Sequence, residues 1–209
     1  MAEDFYYIYG FSESSDLFMD GEAYFWGQGV QRDMRKALDF YRQAAEKGHA
    51  LAQFRLANAY REGNGVGVDL QQSVGWLTKS AALGLPEARY NLGLTYHEGL
   101  WVDRDPSEAV KWWRLAADQG HAKARFRLGM ALKFGDGAKV DLGLAAKYLR
   151  LSADQGYPLA QLWLGLSYES GDGVEKNLDL AEKYYELAAK QGDPQAEQRL
   201  LALKTPTLH

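Results

Sequence analysis

The sequence predicts an all-α fold: a right-handed α-solenoid of stacked helix-turn-helix repeats of 36 residues with a C-terminal capping helix. Two glycine columns carry this prediction. The first is Gly27, Gly63, Gly99, Gly135 and Gly171, and the second is Gly48, Gly84, Gly120, Gly156 and Gly192. Two further columns keep the same 36-residue step: Ala45, Ala81, Ala117, Ala153 and Ala189, and Asp33, Asp69, Asp105, Asp141 and Asn177. Self-similarity at a period of this length is the signature of a helical repeat array.

The repeat frame divides the chain into four parts. With His49 as column 1, full repeats occupy 49–84, 85–120, 121–156 and 157–192, and a divergent first repeat occupies 13–48, so the solenoid spans 13–192. An acidic and aromatic segment precedes it at 1–12, a capping helix follows at 193–204, and a tail ends the chain at 205–209. Asp16 and Asp20 replace the expected alanine and leucine of the first repeat, which predicts a terminal helix with a wetted face.

Each repeat predicts two helices and the turn between them. Columns 4, 8, 9 and 12 are apolar or small and form one face of a first helix. A Gly-x-Gly turn then ends that helix, because glycine adopts positive φ at little cost. The Asp or Asn of column 21 is a favourable N-cap for the second helix, and Asp105 followed by Pro106 is the clearest example.

Together these columns resemble the Sel-one-like repeat family, which is related to the tetratricopeptide repeats. Its pattern A-x-x-x-L-G-x-x-Y-x-x-G stands complete in residues 88–99, and the resemblance covers about 17–192. Trp101 departs from the pattern in place of the second loop glycine, and Ala138 in place of the valine. The resemblance implies antiparallel helix pairs stacked into a superhelix. It also implies a non-catalytic scaffold or adaptor that binds a partner protein through its concave face.

Three other functions are weighed beside the scaffold. Small single-array members of the family suggest a bacterial immunity or inhibitor protein that binds and neutralises a toxic effector enzyme. An enzyme is the least favoured alternative, because the repeat framework accounts for most residues. A self-assembling module is a third, since solenoid ends can stack, and the oligomeric state is left open.

Composition narrows the chemistry further. The 209 residues include no cysteine, which excludes disulfides, thiolate metal sites and cysteine catalysis. A net charge of −4 gives no reason to expect nucleic acid as a partner. No apolar run is long enough for membrane insertion, and the acidic N-terminus differs from a signal peptide. We therefore expect a cytoplasmic protein, with the periplasm as the alternative if a signal peptide has been removed.

No motif for catalysis, metal binding or a cofactor is expected to function here. The four histidines are His49, His97, His121 and His209, and they lack metal-ligand spacing. The Gly-x-Gly loops recur as turns without the lysine of a phosphate-binding loop. The sequence thus predicts no catalytic residue, no metal and no cofactor.

The partner-binding prediction comes from a helical wheel. Columns 3, 7, 10 and 14 lie opposite the packed face of the first helix, and in tetratricopeptide relatives this helix lines the concave surface. These columns also vary most between repeats. The predicted partner-binding residues are Arg55, Asn58, Asn91, Leu94, Arg127, Met130, Phe134, Trp163 and Leu166.

Two questions remain open on this face. An apolar group either forms an exposed patch or packs against adjacent helices: Met130, Phe134, Leu159, Leu162, Trp163 and Leu166, edged by Lys123 and Arg127. The basic residues of the later first helices are Arg55, Arg61, Arg89, Lys123, Arg125, Arg127 and Lys133. They form either a solvated face or a groove for another protein with acidic and apolar contact groups.

Overall fold

The computed structural model describes residues 12–204, and this part of the chain is helical without a strand. Its helices are α1 Glu13–Trp26, α2 Met34–Glu46, α3 Ala50–Glu62, α4 Leu70–Ala82, α5 Pro86–Glu98, α6 Pro106–Asp118, α7 Ala122–Phe134, α8 Leu142–Ala153, α9 Pro158–Ser170, α10 Leu178–Ala189 and α11 Pro194–Lys204. The all-α prediction and the alternation of first and second helices are confirmed. The segment before residue 12 and the tail at 205–209 lie outside the described residues.

The second helices begin where the Asp and Asn column predicts. The side chains of Asp33, Asp69, Asp105, Asp141 and Asn177 each accept a backbone N–H of the first turn. Satisfying such an otherwise unpaired donor stabilises a helix start by about 1 kcal/mol. Four first helices end on a glycine in the left-handed region, Gly27, Gly63, Gly135 and Gly171. The sequence therefore encodes both ends of the turn in each of these repeats.

Two first helices begin with a histidine cap. Nδ1 of His49 accepts the backbone N–H of Ala52, and Nδ1 of His121 accepts that of Ala124. Burial lowers the pKa of His49, which favours the neutral ring that this acceptor role requires. These two histidines are structural.

The chain divides into two compact units. We call Met1–Thr95 with Leu100–Asp103 the N-terminal half, and Tyr96–Gly99 with Arg104–His209 the C-terminal half. In the N-terminal half, α1, α2, α3 and α4 pack in sequence around Phe18, Leu38, Tyr41 and Leu56. In the C-terminal half, consecutive helices from α6 to α11 pack on each other, and the core cluster includes Leu149, Leu162, Leu164 and Tyr185.

Small residues at column 9 set the distance between helices of a pair. A Cβ on Gly21 would lie 2.6 Å from the ring of Tyr41, and a Cβ on Gly165 would lie 2.6 Å from the ring of Tyr185. Both rings are almost fully buried. Glycine at this column therefore gives an aromatic ring of the second helix room to pack on the first.

The last helix caps the C-terminal half. Asp193 accepts the backbone N–H groups of Gln195 and Ala196, and Ala196 is fully buried. Leu200 and Leu203 pack on the core cluster, whereas Leu201 is 67% exposed. Leu201 falls at column 9, the face that a second helix covers in complete repeats. At the other end, Asp16 and Asp20 of α1 are exposed, in agreement with the predicted wetted face.

No helix within residues 12–204 is both long enough and apolar enough to cross a membrane.

Candidate partner-binding surface

The face chosen by the helical wheel is accessible. In repeats 2 to 5, every residue of columns 3 and 14 is exposed, and every residue of columns 7 and 10 is half-buried. Every residue of columns 4 and 8 is buried. The nine predicted partner-binding residues therefore all lie at the surface of a first helix.

An aromatic pair of one exposed and one half-buried ring lies on the surface of the C-terminal half. Phe134 and Trp163 meet edge-on, with ring centroids 5.6 Å apart and an interplanar angle of 87°. Phe134 is 59% exposed although it is a large apolar side chain. Met130, Trp163 and Leu166 are half-buried and rest on the core cluster. The structure thus brings four predicted residues onto one surface, supported from below by packed core.

The exposed apolar patch contains fewer residues than the exposed-patch hypothesis included. Leu162 is only 2% exposed and belongs to the core cluster, so its inclusion in an exposed patch was wrong. The reason is positional: Leu162 lies at column 6, and Phe126 at the same column is 7% exposed. Side chains at this column in the C-terminal half face neighbouring helices. Leu159, by contrast, is 40% exposed and remains at the edge of the patch.

Two arginines assigned to the basic face hold consecutive repeats together instead. Nε of Arg89 donates to the carbonyl of Ala81, and Nε of Arg125 donates to the carbonyl of Ala117, each at 3.1 Å. Gln53 and Gln161 make the equivalent bonds to Ala45 and Ala153. Column 5 is therefore a donor that caps the preceding second helix. Sequence reasoning missed it, although the restriction of this column to Gln and Arg was a visible signal.

Acid–base bridges join column 13 to column 16 of the next repeat. Nζ of Lys133 donates to Asp172 at 2.8 Å, and Nε2 of His97 lies 2.8 Å from Asp136. The hydrogen bond from Lys133 is the main cause of the lowered pKa of Asp172. Arg104 adds a second contact to Asp136 at 3.3 Å. Lys133 and His97 are thus committed to links within the C-terminal half.

Two cations on this face form no such bond within the described residues. No described residue forms a hydrogen bond or ion pair with Lys123 or with Arg127. Lys123 is exposed and Arg127 half-buried. Both project from α7, one turn apart, and Met130 follows Arg127 by three residues. The two cations thus lie on the same helix as Phe134, the exposed member of the aromatic pair.

Arg55 is anchored within the N-terminal half. Its guanidinium donates two hydrogen bonds of 2.9 Å to Glu22, which also accepts from Tyr41 and Trp26. Burial raises the pKa of Glu22, but the hydrogen bonds from Arg55, Tyr41 and Trp26 together outweigh burial and hold this pKa below its usual value. Arg55 therefore presents a neutralised charge.

The remaining predicted residues of the N-terminal half are uncharged. Asn58, Asn91 and Leu94 are half-buried. Neither asparagine side chain has a hydrogen-bond partner among the described residues. No group of three or more His, Cys, Asp or Glu within residues 12–204 is placed to hold a metal ion.

The repeat itself identifies the family. A family model described as the Sel1 repeat matches five times, at residues 15–49, 50–85, 86–121, 122–157 and 158–193. The chain belongs to the Sel1 repeat family. Sel1 repeats mediate protein–protein interaction.

Solved structures agree with this assignment. A Sel1 repeat protein from Oxalobacter formigenes is 31% identical with a TM-score of 0.81, over 91% of this chain and 78% of that one. The protective antigen c5321 of uropathogenic Escherichia coli is 33% identical with a TM-score of 0.64, over 90% of this chain and 48% of that one. The immunity protein Pa5087 from Pseudomonas aeruginosa is 27% identical with a TM-score of 0.52, over 88% and 68%. No protein of curated function matches the chain.

Proposed function

We propose that this Sel1 repeat protein is a non-catalytic scaffold or adaptor that binds its partner through the first helices α7 and α9. One observation carries the proposal: the exposed ring of Phe134 meets the half-buried ring of Trp163 near Lys123 and Arg127, two cations without a partner among the described residues. Apolar area and free charge at one place on a folded surface are what a protein partner can cover.

The chemistry of this surface defines the partner. Binding energy at protein interfaces concentrates in aromatic and arginine anchors. The planar guanidinium of Arg127 suits a carboxylate, which it binds through two parallel hydrogen bonds. The partner therefore offers an acidic group next to an apolar one. The first helices of the C-terminal half supply a cation for the acidic group and aromatic rings for the apolar one.

Single substitutions test this surface. Trp163→Ala and Arg127→Ala should each weaken binding about tenfold or more, since about 1.4 kcal/mol corresponds to a factor of ten. The partner is recovered from the native host by pull-down and identified by mass spectrometry. Calorimetric titration of purified partner into each variant then gives the dissociation constants.

Second-helix variants provide the control. Lys147 and Lys183 are exposed on α8 and α10, so Lys147→Ala and Lys183→Ala should bind like the wild type. Circular dichroism confirms that all four variants fold. The proposal is contradicted if the first-helix variants keep wild-type affinity and the second-helix variants lose affinity. The partner would then bind the opposite surface.

A second candidate function is that of an immunity protein. Two similar structures are named immunity proteins of Pseudomonas aeruginosa, Pa5087 at 27% identity and PA5088 at 26%. In this case the recovered partner is an enzyme that stops growth when expressed alone. Co-expression of this protein should then restore growth, and Trp163→Ala should reduce the protection. If expression of the recovered partner alone does not affect growth, the protein is not an immunity protein for that partner.

A further inference from the structure

A cavity of about 250 Å³ opens between α1, α2 and α3 in the N-terminal half. Ala37, Leu38, Tyr41 and Ala59 contribute to its lining, and all four are buried residues of the core cluster. The side of Phe25 forms a further apolar wall. These residues form the apolar side of the cavity, and its other side is lined by polar residues, namely Arg55, Asn58, Arg61, Glu62 and Asn64.

The cavity lies where later repeats carry an ion pair. Lys133 with Asp172 and His97 with Asp136 join column 13 of one repeat to column 16 of the next. In the first two repeats these columns hold Phe25 and Asn64, which cannot form an ion pair, and both line the cavity. The two positions that would bridge this space therefore lack the ion pair found at two junctions of the C-terminal half.

Charges at the rim are already neutralised. Arg55 is paired with Glu22, and Arg61 with Glu62 at 2.6 Å. The side-chain amide of Asn58 lines the cavity and has no hydrogen-bond partner among the described residues. A charged guest would find no free counter-charge there, whereas an uncharged guest would find one amide able both to donate and to accept.

The volume and lining of the cavity further restrict which chemical group it can bind. The volume is below the roughly 300–1,000 Å³ of typical small-molecule sites, so it suits a single side chain. Aromatic rings gain from edge-on or offset contact with other rings, here with Phe25 and Tyr41.

We propose that this cavity binds one uncharged aromatic side chain of a polypeptide segment, with Asn58 hydrogen-bonded to the backbone of that segment. This site is separate from the surface of the C-terminal half and goes beyond the proposed function. Its test uses no partner protein, so its failure and the failure of the proposed function are distinguishable.

Amino-acid amides serve as probes of the cavity. N-acetyl-phenylalaninamide is titrated into the ¹⁵N-labelled full chain, with N-acetyl-leucinamide and the charged N-acetyl-aspartic acid amide as comparators. The phenylalanine probe should shift the Asn58 side-chain and Ala59 backbone signals in a saturable way. The leucine probe should bind several-fold more weakly, and the aspartate probe should not saturate. Equal binding of the three probes, or no saturable shift with the first, would overturn the proposal.

Variants locate the site. Ala59→Leu should fill the cavity and weaken binding of the phenylalanine probe about tenfold or more. Asn58→Ala should weaken it several-fold, whereas Gln72→Ala, which removes an exposed amide outside the cavity, should leave it unchanged. If Ala59→Leu unfolds the chain, the double variant Phe25→Lys with Asn64→Asp closes the same space with an ion pair and should abolish binding. Undiminished binding in a folded closing variant would contradict the assignment.

Discussion

At the residue scale, one carboxylate organises the first repeat. Glu22 accepts hydrogen bonds from Trp26, from Tyr41 and from Nε and Nη2 of Arg55, and only 18% of its side chain is exposed. The guanidinium of Arg55 also lies 5.5 Å from the ring of Phe25. Charge-assisted bonds of this kind are about twice as strong as neutral ones. Glu22 thus positions Arg55 and, with it, one wall of the cavity.

Removing this charge should destabilise the N-terminal half at neutral pH. Glu22→Gln keeps the shape but leaves a half-buried guanidinium without its counter-charge, which should cost about 1–3 kcal/mol in the free energy of unfolding. Glu62→Gln is the matched control, because Glu62 is 47% exposed and its pair with Arg61 contributes about 0–1 kcal/mol. Urea denaturation of both variants measures the difference. Equal losses would show that burial of Glu22 adds nothing.

The same carboxylate gives a pH dependence of defined sign. The pKa of Glu22 is lower in the folded chain than its usual value, so the folded state binds this proton less readily than the unfolded state. Its stabilising contribution is complete above the usual pKa and is lost as the pH falls through the folded pKa. The stability difference between wild type and Glu22→Gln should therefore shrink in acid. A constant difference over that range would refute the pKa direction.

At the element scale, a side-chain contact links column 5 to column 35 within a repeat. Gln191 donates to the side chain of Gln161, and Gln155 accepts from Arg125. Both Gln155 and Gln191 lie at column 35. In repeat 2 this column holds Leu83, which is 55% exposed, and the buried Gln53 Oε1 has no hydrogen-bond partner. Repeat 2 therefore lacks this contact between its columns 5 and 35.

Filling that gap should stabilise the protein. Leu83→Gln provides a donor for Gln53 and removes an exposed apolar side chain, and we expect a gain of about 0.5–1.5 kcal/mol in the free energy of unfolding. Leu115→Gln is the control, because Leu115 is also exposed at 43% but lies outside column 35, and its effect should stay within about 0.5 kcal/mol. Chemical denaturation compares the two. Equal gains would show that replacing an exposed leucine is the cause, and not the new hydrogen bond to Gln53.

The glycine of column 17 meets the backbone of the preceding second helix. A Cβ on Gly137, whose φ is +78°, would lie 2.1 Å from the carbonyl oxygen of Pro106. We expect Gly137→Ala to cost about 3 kcal/mol or more, because strain and a backbone clash combine. Gly29 has a φ of +72° with open space around it, so Gly29→Ala should cost only about 1–2 kcal/mol. Equal shifts of the denaturation midpoint in the two variants would mean that the backbone around Gly137 moves to remove the clash at no cost.

The sequence could predict features that depend on local chemistry, but not contacts between residues of different helices or repeats. Helices, caps and turns follow from local chemistry, and residues such as Asp105 and Gly135 identify them directly. Arg89 and Arg125 resembled surface charges because their carbonyl partners lie in the preceding repeat. The burial of Leu162 likewise depends on the neighbouring helices, which a single-helix wheel does not contain. The cavity beside Phe25 was also missed, since it arises from two residues that belong to different repeats.

At the scale of the whole molecule, stability is expected to be local. Repeat arrays gain most of their stability within repeats and between nearest neighbours. In the C-terminal half, α11 supplies the last such contact through Leu200 and Leu203. The cost of loosening α11 should therefore appear first in α9 and α10.

Hydrogen exchange can measure that locality. Leu200→Ala removes a half-buried contact and should cost about 1–2 kcal/mol, lowering amide protection in α10 and α9 more than in α1 and α2. Leu201→Ala changes a side chain that is 67% exposed and should leave protection unchanged. Uniform loss of protection along the chain would show instead that the array opens as one cooperative body.

The donor at column 5 has a consequence for how such chains change in length. Gln53, Arg89, Arg125 and Gln161 each reach a backbone carbonyl of the preceding repeat, and a carbonyl is present whatever side chain occupies that position. The joint therefore does not depend on the identity of the neighbour. A duplicated or deleted stretch of 36 residues meets the same acceptor on its new upstream neighbour. Gene duplication and unequal recombination can lengthen or shorten the array without inventing a new joint, and selection then acts on the outward residues of the copies.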